Sequence, residues 1–100
     1  MEIKDAVPNA IAFAVGTLGP ERTADIRLEE IESSTVNASP VWLITLSSST
    51  MPEGSVAASI RSAGLYRETP ADREYKVFTV TKDTGEILSM KIRLLATPDN

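Results

Sequence analysis

The chain has 100 residues, of which 42% are apolar and 24% charged, so it has the size and composition of one folded domain rather than of a disordered chain. Its formal net charge of −4 disfavours nucleic acid and anionic membranes as partners, because both attract basic surfaces. The lack of Cys and His removes thiolate chemistry, zinc–thiolate sites and the commonest general base, so we expect no catalysis, metal or cofactor.

The first segment predicts a helix over residues 5–18. Asp5 is a suitable N-cap, and Pro8 would lie in the first turn, where its missing N–H costs nothing. Gly19-Pro20 then ends the helix. Alanines on the same side would let a sheet approach closely. Apolar residues at helical spacing form the expected buried stripe: Ile11, Val15 and Leu18.

The next segment predicts a β-hairpin with strands at about 24–33 and 41–48. Apolar and polar residues alternate in the first strand until Ile31 breaks the phase, which indicates a bulge near Glu29-Glu30 or a turn there. A short helix over residues 28–32 is the alternative. The second strand is apolar on both sides, which is typical of a central strand.

Residues 49–72 are predicted to form a long irregular insert, because Ser, Thr, Gly and Pro are dense there. Long loops in small domains are usually functional or mobile. The insert contains Arg61, Tyr66 and Arg67, and Tyr with Arg is a composition found at recognition surfaces. These residues are candidates for an interaction site, although a mobile loop that contains them by chance is an equal alternative.

The last third predicts a second hairpin, with strands at about 73–82 and 86–95 around a turn that ends at Gly85. In its first strand, Tyr75 and Val77 should point one way, and Phe78 and Val80 the other. The whole chain is therefore expected to be a single α+β domain over residues 1–100, with one N-terminal helix packed across a four-stranded antiparallel sheet.

Two segments resemble a known family. Residues 10–14, Ala-Ile-Ala-Phe-Ala, are similar to the alanine-rich helix of PepSY-type domains, within the cystatin-like α+β group. Residues 75–88 resemble the closing hairpin of those domains, where a tyrosine-containing strand leads through Thr-Gly-Glu into the last strand. The resemblance implies a non-catalytic inhibitory or regulatory module, often secreted or attached to a protease. This sequence departs from the pattern by its long insert, and it lacks the Gln-x-Val-x-Gly loop of cystatins.

The side chains that catalysis would need are not suitably arranged in the sequence. Glu30 and Glu32 would share one side of a strand and face solvent, rather than oppose each other across a cleft. The serines have no histidine beside them and no Ser-x-x-Lys spacing, so no activated nucleophile is indicated. We therefore expect a protein that is not an enzyme.

A binding role is the remaining prediction. One helix can cover only one side of the sheet, so we expect an apolar sheet face to remain, for a second copy of the chain or another protein. If the helix covers the other set, this face consists of Val41, Leu43, Tyr75, Val77 and Ile87; if it does not, the face consists of Trp42, Ile44, Phe78, Val80, Leu88, Met90 and Ile92. Trp42 is either a large core residue or an interface anchor, and Tyr75 is a further candidate contact. The alternatives are a small-ligand domain with a pocket between helix and sheet, and a protease-inhibitor-like module.

The sequence also bears on where the protein is expected to be found. Residues 1–5 do not begin a basic stretch followed by an apolar run, so no signal peptide is visible. No apolar stretch approaches the roughly 18 residues that span a bilayer. We expect a cytoplasmic protein with no membrane partner.

Overall fold

The computed structural model describes residues 2–50, 64 and 72–93. One helix packs on a four-stranded antiparallel sheet with the strand order β1-β2-β3-β4, so the predicted α+β fold is confirmed. Most of the predicted insert, with Arg61, Tyr66 and Arg67, lies outside the described residues. The elements are α1 (Ile3–Leu18), a 3-10 turn (Glu21–Thr23), β1 (Arg27–Val36), β2 (Ser39–Ser49), β3 (Arg73–Thr81) and β4 (Ile87–Ile92).

The helix contacts the sheet through alanines. Ala6, Ala10 and Ala14 are at most 1% exposed and recur every fourth residue, so their short side chains let the helix approach the strands closely. The predicted stripe was wrong at Val15, which is 40% exposed. The sheet contributes the rest of the core cluster beneath the helix: Ile44 and Leu46 from β2, and Phe78 and Val80 from β3.

The helix also begins earlier than predicted. Its first residue is Ile3, with Glu2 in the N-cap position and no side-chain cap, so Asp5 is a first-turn residue and not the N-cap. Pro8 consequently lies in the second turn, where its missing N–H leaves the Lys4 carbonyl without its usual partner within the helix. The Asp5 carboxylate is nevertheless favourably placed near the positive N-terminal end of the helix dipole.

The first hairpin has a tighter turn than predicted. Its strands continue to Val36 and resume at Ser39, so Asn37 and Ala38 alone form the turn. Both residues have positive φ, 49° and 67°, as a two-residue type I′ turn requires. The predicted bulge is confirmed, because the register of β1 against β2 shifts between Leu28 and Glu30.

We expect the substitution Ala38→Gly to raise the free energy of unfolding by about 1 kcal/mol. Alanine is strained at φ 67°, whereas glycine adopts this conformation without a steric penalty, and Asn-Gly is the preferred type I′ pair. Urea denaturation followed by circular dichroism measures the change. The matched control is Ala12→Gly on the exposed side of α1, which should lower stability by about 1 kcal/mol. Destabilisation by Ala38→Gly would contradict the assigned turn.

The second hairpin is anchored to the helix. Gly85 has φ 78° and donates its N–H to the Thr81 carbonyl at 3.0 Å, which confirms the predicted turn. Asn9 Nδ2 of the helix donates to the Gly85 carbonyl at 2.5 Å. A register shift between Thr79 and Val80 places Ile87 opposite Val80, on the side of the helix. Simple alternation had predicted Ile87 on the other side, so that assignment was wrong.

Candidate functional site

The side of the sheet away from the helix is the candidate functional surface. Directly paired residues of neighbouring strands point to the same side of a sheet, so the register defines two complete rows across all four strands. We call these two rows the open face: Glu30, Thr45, Val77 and Lys91 in one row, and Glu32, Leu43, Thr79 and Ser89 in the other.

The open face is less apolar than the sequence had predicted. The large apolar side chains of the two rows are Leu43 and Val77, which lie half-buried in the two central strands. Val41 lies in the next row on the same side and is fully buried. Threonine and serine surround them, and Ser89 Oγ donates to Thr79 Oγ1 at 3.0 Å. The predicted apolar face is confirmed for Val41, Leu43, Tyr75 and Val77, which the register places on this side of the sheet, and it was wrong for Ile87, which packs on the helix side. What remains is a short apolar strip with polar neighbours.

Charge on the open face is divided between its two edges. Glu30 and Glu32 are exposed on β1, and Lys91 is exposed on β4. Arg93 follows β4 and extends across the face, where its Nη1 donates to Glu30 Oε1 at 3.2 Å and to Thr45 Oγ1 at 3.1 Å. The face therefore has an acidic edge at β1, where the Arg93 guanidinium pairs with Glu30, a neutral centre, and a basic edge at β4 that Lys91 forms.

A buried arginine lies on the same side of the sheet, beyond the two rows. Arg73 of β3 has a side chain that is 2% exposed, and its Nε donates to Ser47 Oγ at 2.8 Å. Its Nη1 donates to Asp25 Oδ2 at 3.0 Å, and its Nη2 donates to the Asp25 carbonyl at 2.5 Å. Ser47 Oγ in turn donates to Glu29 Oε2 at 2.5 Å. Arg73 therefore ties the segment before β1 to the two central strands.

On the helix side, a buried lysine borders a small cavity. Lys76 has a side chain that is 8% exposed, and its ammonium contacts the Glu74 carboxylate, which Arg22 Nη2 also approaches to 3.4 Å. The cavity has a volume of about 10 Å³, which is room for about one water molecule. Lys76 and Glu74 line it together with apolar side chains of the helix and sheet, among them Ala14 and Phe78.

Two of the ion-paired carboxylates, Asp25 and Glu74, have a lowered pKa. For Asp25, burial raises the pKa, but the hydrogen bonds and charges of Arg27 and Arg73 outweigh burial and hold the pKa below its ordinary value of 3.8. For Glu74, Lys76 first and then Arg22 lower the pKa below 4.5, against the opposing effect of burial. The folded chain therefore binds fewer protons at these groups than the unfolded chain in the acidic range.

We expect the protein to lose stability in acid because of these two groups. Their stabilisation is fully present above the unfolded pKa values, from about pH 5 upward, and is lost as the pH falls through the lowered folded values. Urea denaturation between pH 6 and pH 2.5 measures this slope, which Asp25→Asn should make shallower below about pH 4. The control Asp83→Asn, in an exposed turn, should leave the slope unchanged. An equal slope in all three chains would contradict the assignment.

The structure separates the candidate contact residues that it describes. Trp42 points to the helix side, where it is half-buried against the core, and Lys82 Nζ lies 4.0 Å from the centroid of its ring. Tyr75 pairs with Ser47 on the opposite side of the sheet and is half-buried there. These two aromatic residues therefore do not belong to one surface. The other three candidates are outside the described residues: Arg61, Tyr66 and Arg67.

Sequence reasoning missed the buried charges. Arg73 and Lys76 occur at polar positions of an alternating strand, a pattern that indicates a solvent-facing side chain as readily as a buried one. The available indication was position: Lys76 is in phase with Phe78 and Val80, so it shares one of the two sides of the sheet that the helix could cover. The sequence shows the acidic and basic residues of the open face only as separate residues. Which of them lie on one face depends on how distant strands pair, and a local pattern does not show that pairing.

Within residues 2–50, 64 and 72–93, no group of three or more acidic side chains is arranged to hold a metal ion. The one helix in this part of the chain is not long and apolar enough to cross a membrane. No family model matches the chain, and no curated protein or solved structure matches it either. The resemblance to PepSY-type domains therefore remains a prediction from residues 10–14 and 75–88.

Proposed function

We propose that the protein is a non-catalytic interaction domain that self-associates through its open face. The observation that supports this most strongly is the combination of an apolar centre with oppositely charged edges on the side of the sheet that the helix leaves uncovered. Protein interfaces combine an apolar centre with a polar rim, and opposite charges set the orientation of the partners. Leu43 and Val77 form that centre here.

The composition of the open face favours a reversible contact. A permanent interface resembles a domain core and is strongly apolar, whereas this face carries threonine and serine between its two apolar side chains. Glu30, Glu32 and Lys91 are exposed in the isolated chain, where Glu30 is paired with Arg93. Self-association that is weak and sensitive to salt is therefore expected.

The ligand-binding alternative has less support from the described residues. Pockets for small organic ligands usually have volumes of about 300 to 1,000 Å³. The cavity between helix and sheet beside Lys76 is about 10 Å³, and the alanine stripe of α1 keeps the two layers close together. A bound water molecule suits this cavity better than a metabolite does.

Sedimentation velocity from 20 µM to 1 mM tests the proposal. We expect the average mass to rise with concentration, and Thr79→Arg to raise the dissociation constant at least tenfold, because it places a bulky charge at the centre of the open face. Thr84→Arg, in the exposed turn, is the matched control and should leave the constant unchanged. A monomer mass at 1 mM, or equal effects of the two substitutions, would overturn the proposal.

A further inference from the structure

We propose that the partner on the open face is a second copy of this chain, related by a two-fold axis that runs parallel to the strands. The inference rests on the proposed function and adds the orientation of the two copies. In this arrangement β1 of one copy lies over β4 of the other, at both ends of the interface. The same patch is used by both copies, as a two-fold interface requires.

The distribution of charge selects this axis over the other face-to-face arrangement. A two-fold axis perpendicular to the strands would place β1 over β1 and β4 over β4. Glu30 and Glu32 of one copy would then face the same two carboxylates of the other copy. An axis parallel to the strands instead places Glu30 over Lys91 of the other copy, and Glu32 over Ser89. Like charges brought together across an interface are costly, whereas opposite charges fix the orientation.

The residue rows also match in this arrangement. Rotation about an axis parallel to the strands keeps each row at its own height, so Glu30 comes to lie over Lys91 and Thr45 over Val77. In the second row, Leu43 comes to lie over Thr79. Packed sheets are rotated by roughly 30° and lie about 10 Å apart. A glutamate side chain and a lysine side chain together can span that distance.

Within a single chain, the Glu30 carboxylate already accepts a hydrogen bond from a basic side chain. Arg93 Nη1 lies 3.2 Å from Glu30 Oε1, which shows that the acidic edge accepts a cation extended across the face. Lys91, by contrast, has no ion pair within the described parts of the chain. Its exposed ammonium is therefore available to the acidic edge of a second copy.

The size of the open face sets the expected strength. Two rows across four strands cover on the order of 300 Å² per chain, given a strand spacing of about 4.8 Å. Stable complexes bury about 800 Å² per partner. The dimer should therefore be weak, with a dissociation constant in roughly the 10 µM to 1 mM range, and should weaken further as salt is raised.

A pair of charge-reversed chains tests the orientation. Glu30→Lys and Lys91→Glu should each raise the dissociation constant of the homodimer at least tenfold, because each places like charges on facing edges. Mixed one to one, the two variants should form a heterodimer within about threefold of the wild-type constant, because the facing edges are then complementary. Sedimentation with a fluorescent label on one variant measures the heterodimer at low salt.

Net charge alone cannot produce this result. Starting from −4, the first substitution gives −4 + 2 = −2 and the second gives −4 − 2 = −6, so both chains remain negative. The matched controls are Glu2→Lys and Lys4→Glu, which make the same charge changes at an exposed ion pair near the helix N-terminus. The control pair should show wild-type self-association and no preference for mixing.

The outcomes separate the two proposals. If the wild type self-associates, and Thr79→Arg prevents it, but the charge-reversed pair shows no preference for mixing, the orientation is overturned and the interaction role of the open face stands. Tighter self-association of the Glu30→Lys chain than of the wild type would indicate that β1 lies over β1, because the introduced ammonium would then face Glu32 of the other copy, and this result also overturns the orientation. A wild-type monomer at 1 mM overturns both proposals.

Discussion

Replacing Phe78 with alanine is expected to lower the free energy of unfolding by about 3 to 5 kcal/mol. Phe78 is 1% exposed and belongs to the core cluster between the helix and the sheet. The substitution would leave a cavity beneath the alanine stripe of α1, which has no long side chains to fill it. Small domains are stable by only about 5 to 15 kcal/mol, so much of the stability would be lost. Urea denaturation at pH 7 measures the change.

Phe13 provides the matched control, because its ring contacts the ring of Phe78. The two centroids are 6.3 Å apart and the rings meet edge to face, but Phe13 is 38% exposed. Phe13→Ala therefore removes one aromatic contact and little buried area, and should cost about 1 kcal/mol. Equal losses of stability for the two substitutions would show that Phe13 is buried as fully as Phe78, which would contradict the assigned packing.

Local periodicity explains why much of this fold could be predicted from the sequence. The two-residue repeat of β3 assigned Phe78 and Val80 to one side of the sheet and Tyr75 and Val77 to the other, as the structure shows. The repeat is a property of neighbouring residues and needs no knowledge of distant contacts. It failed at Ile87, because the register shift between β3 and β4 depends on how the two strands pair.

The candidate surface was less predictable, because it depends on pairing between distant segments. Glu30 and Arg93 are 63 residues apart in sequence, and only the register of all four strands brings them to one face. The sequence did predict that Glu30 and Glu32 share a solvent-facing side, since they are two residues apart on one strand. It could not predict that a basic edge lies at the other end of the same rows.

Arg73→Met is expected to lower the free energy of unfolding by about 3 kcal/mol. The guanidinium is 2% exposed and donates to both the carboxylate and the backbone carbonyl of Asp25, as well as to Ser47 Oγ. Removing one member of a buried, hydrogen-bonded ion pair typically costs about 3 to 5 kcal/mol, and the partial exposure of Asp25 places this case at the lower end. Urea denaturation with Trp42 fluorescence measures the loss.

A second arginine on the same carboxylate separates burial from charge. Arg27 Nη2 donates to Asp25 Oδ2 at 2.7 Å, but its side chain is 47% exposed, so Arg27→Met should cost no more than about 1 kcal/mol. Arg73→Lys keeps the charge but loses the planar guanidinium group, which donates to Ser47 and Asp25 at the same time. Its loss of stability should therefore be closer to that of Arg73→Met. Equal costs for Arg27→Met and Arg73→Met would show that attraction to Asp25 alone, and not the buried hydrogen bonds, holds the segment before β1 against the sheet.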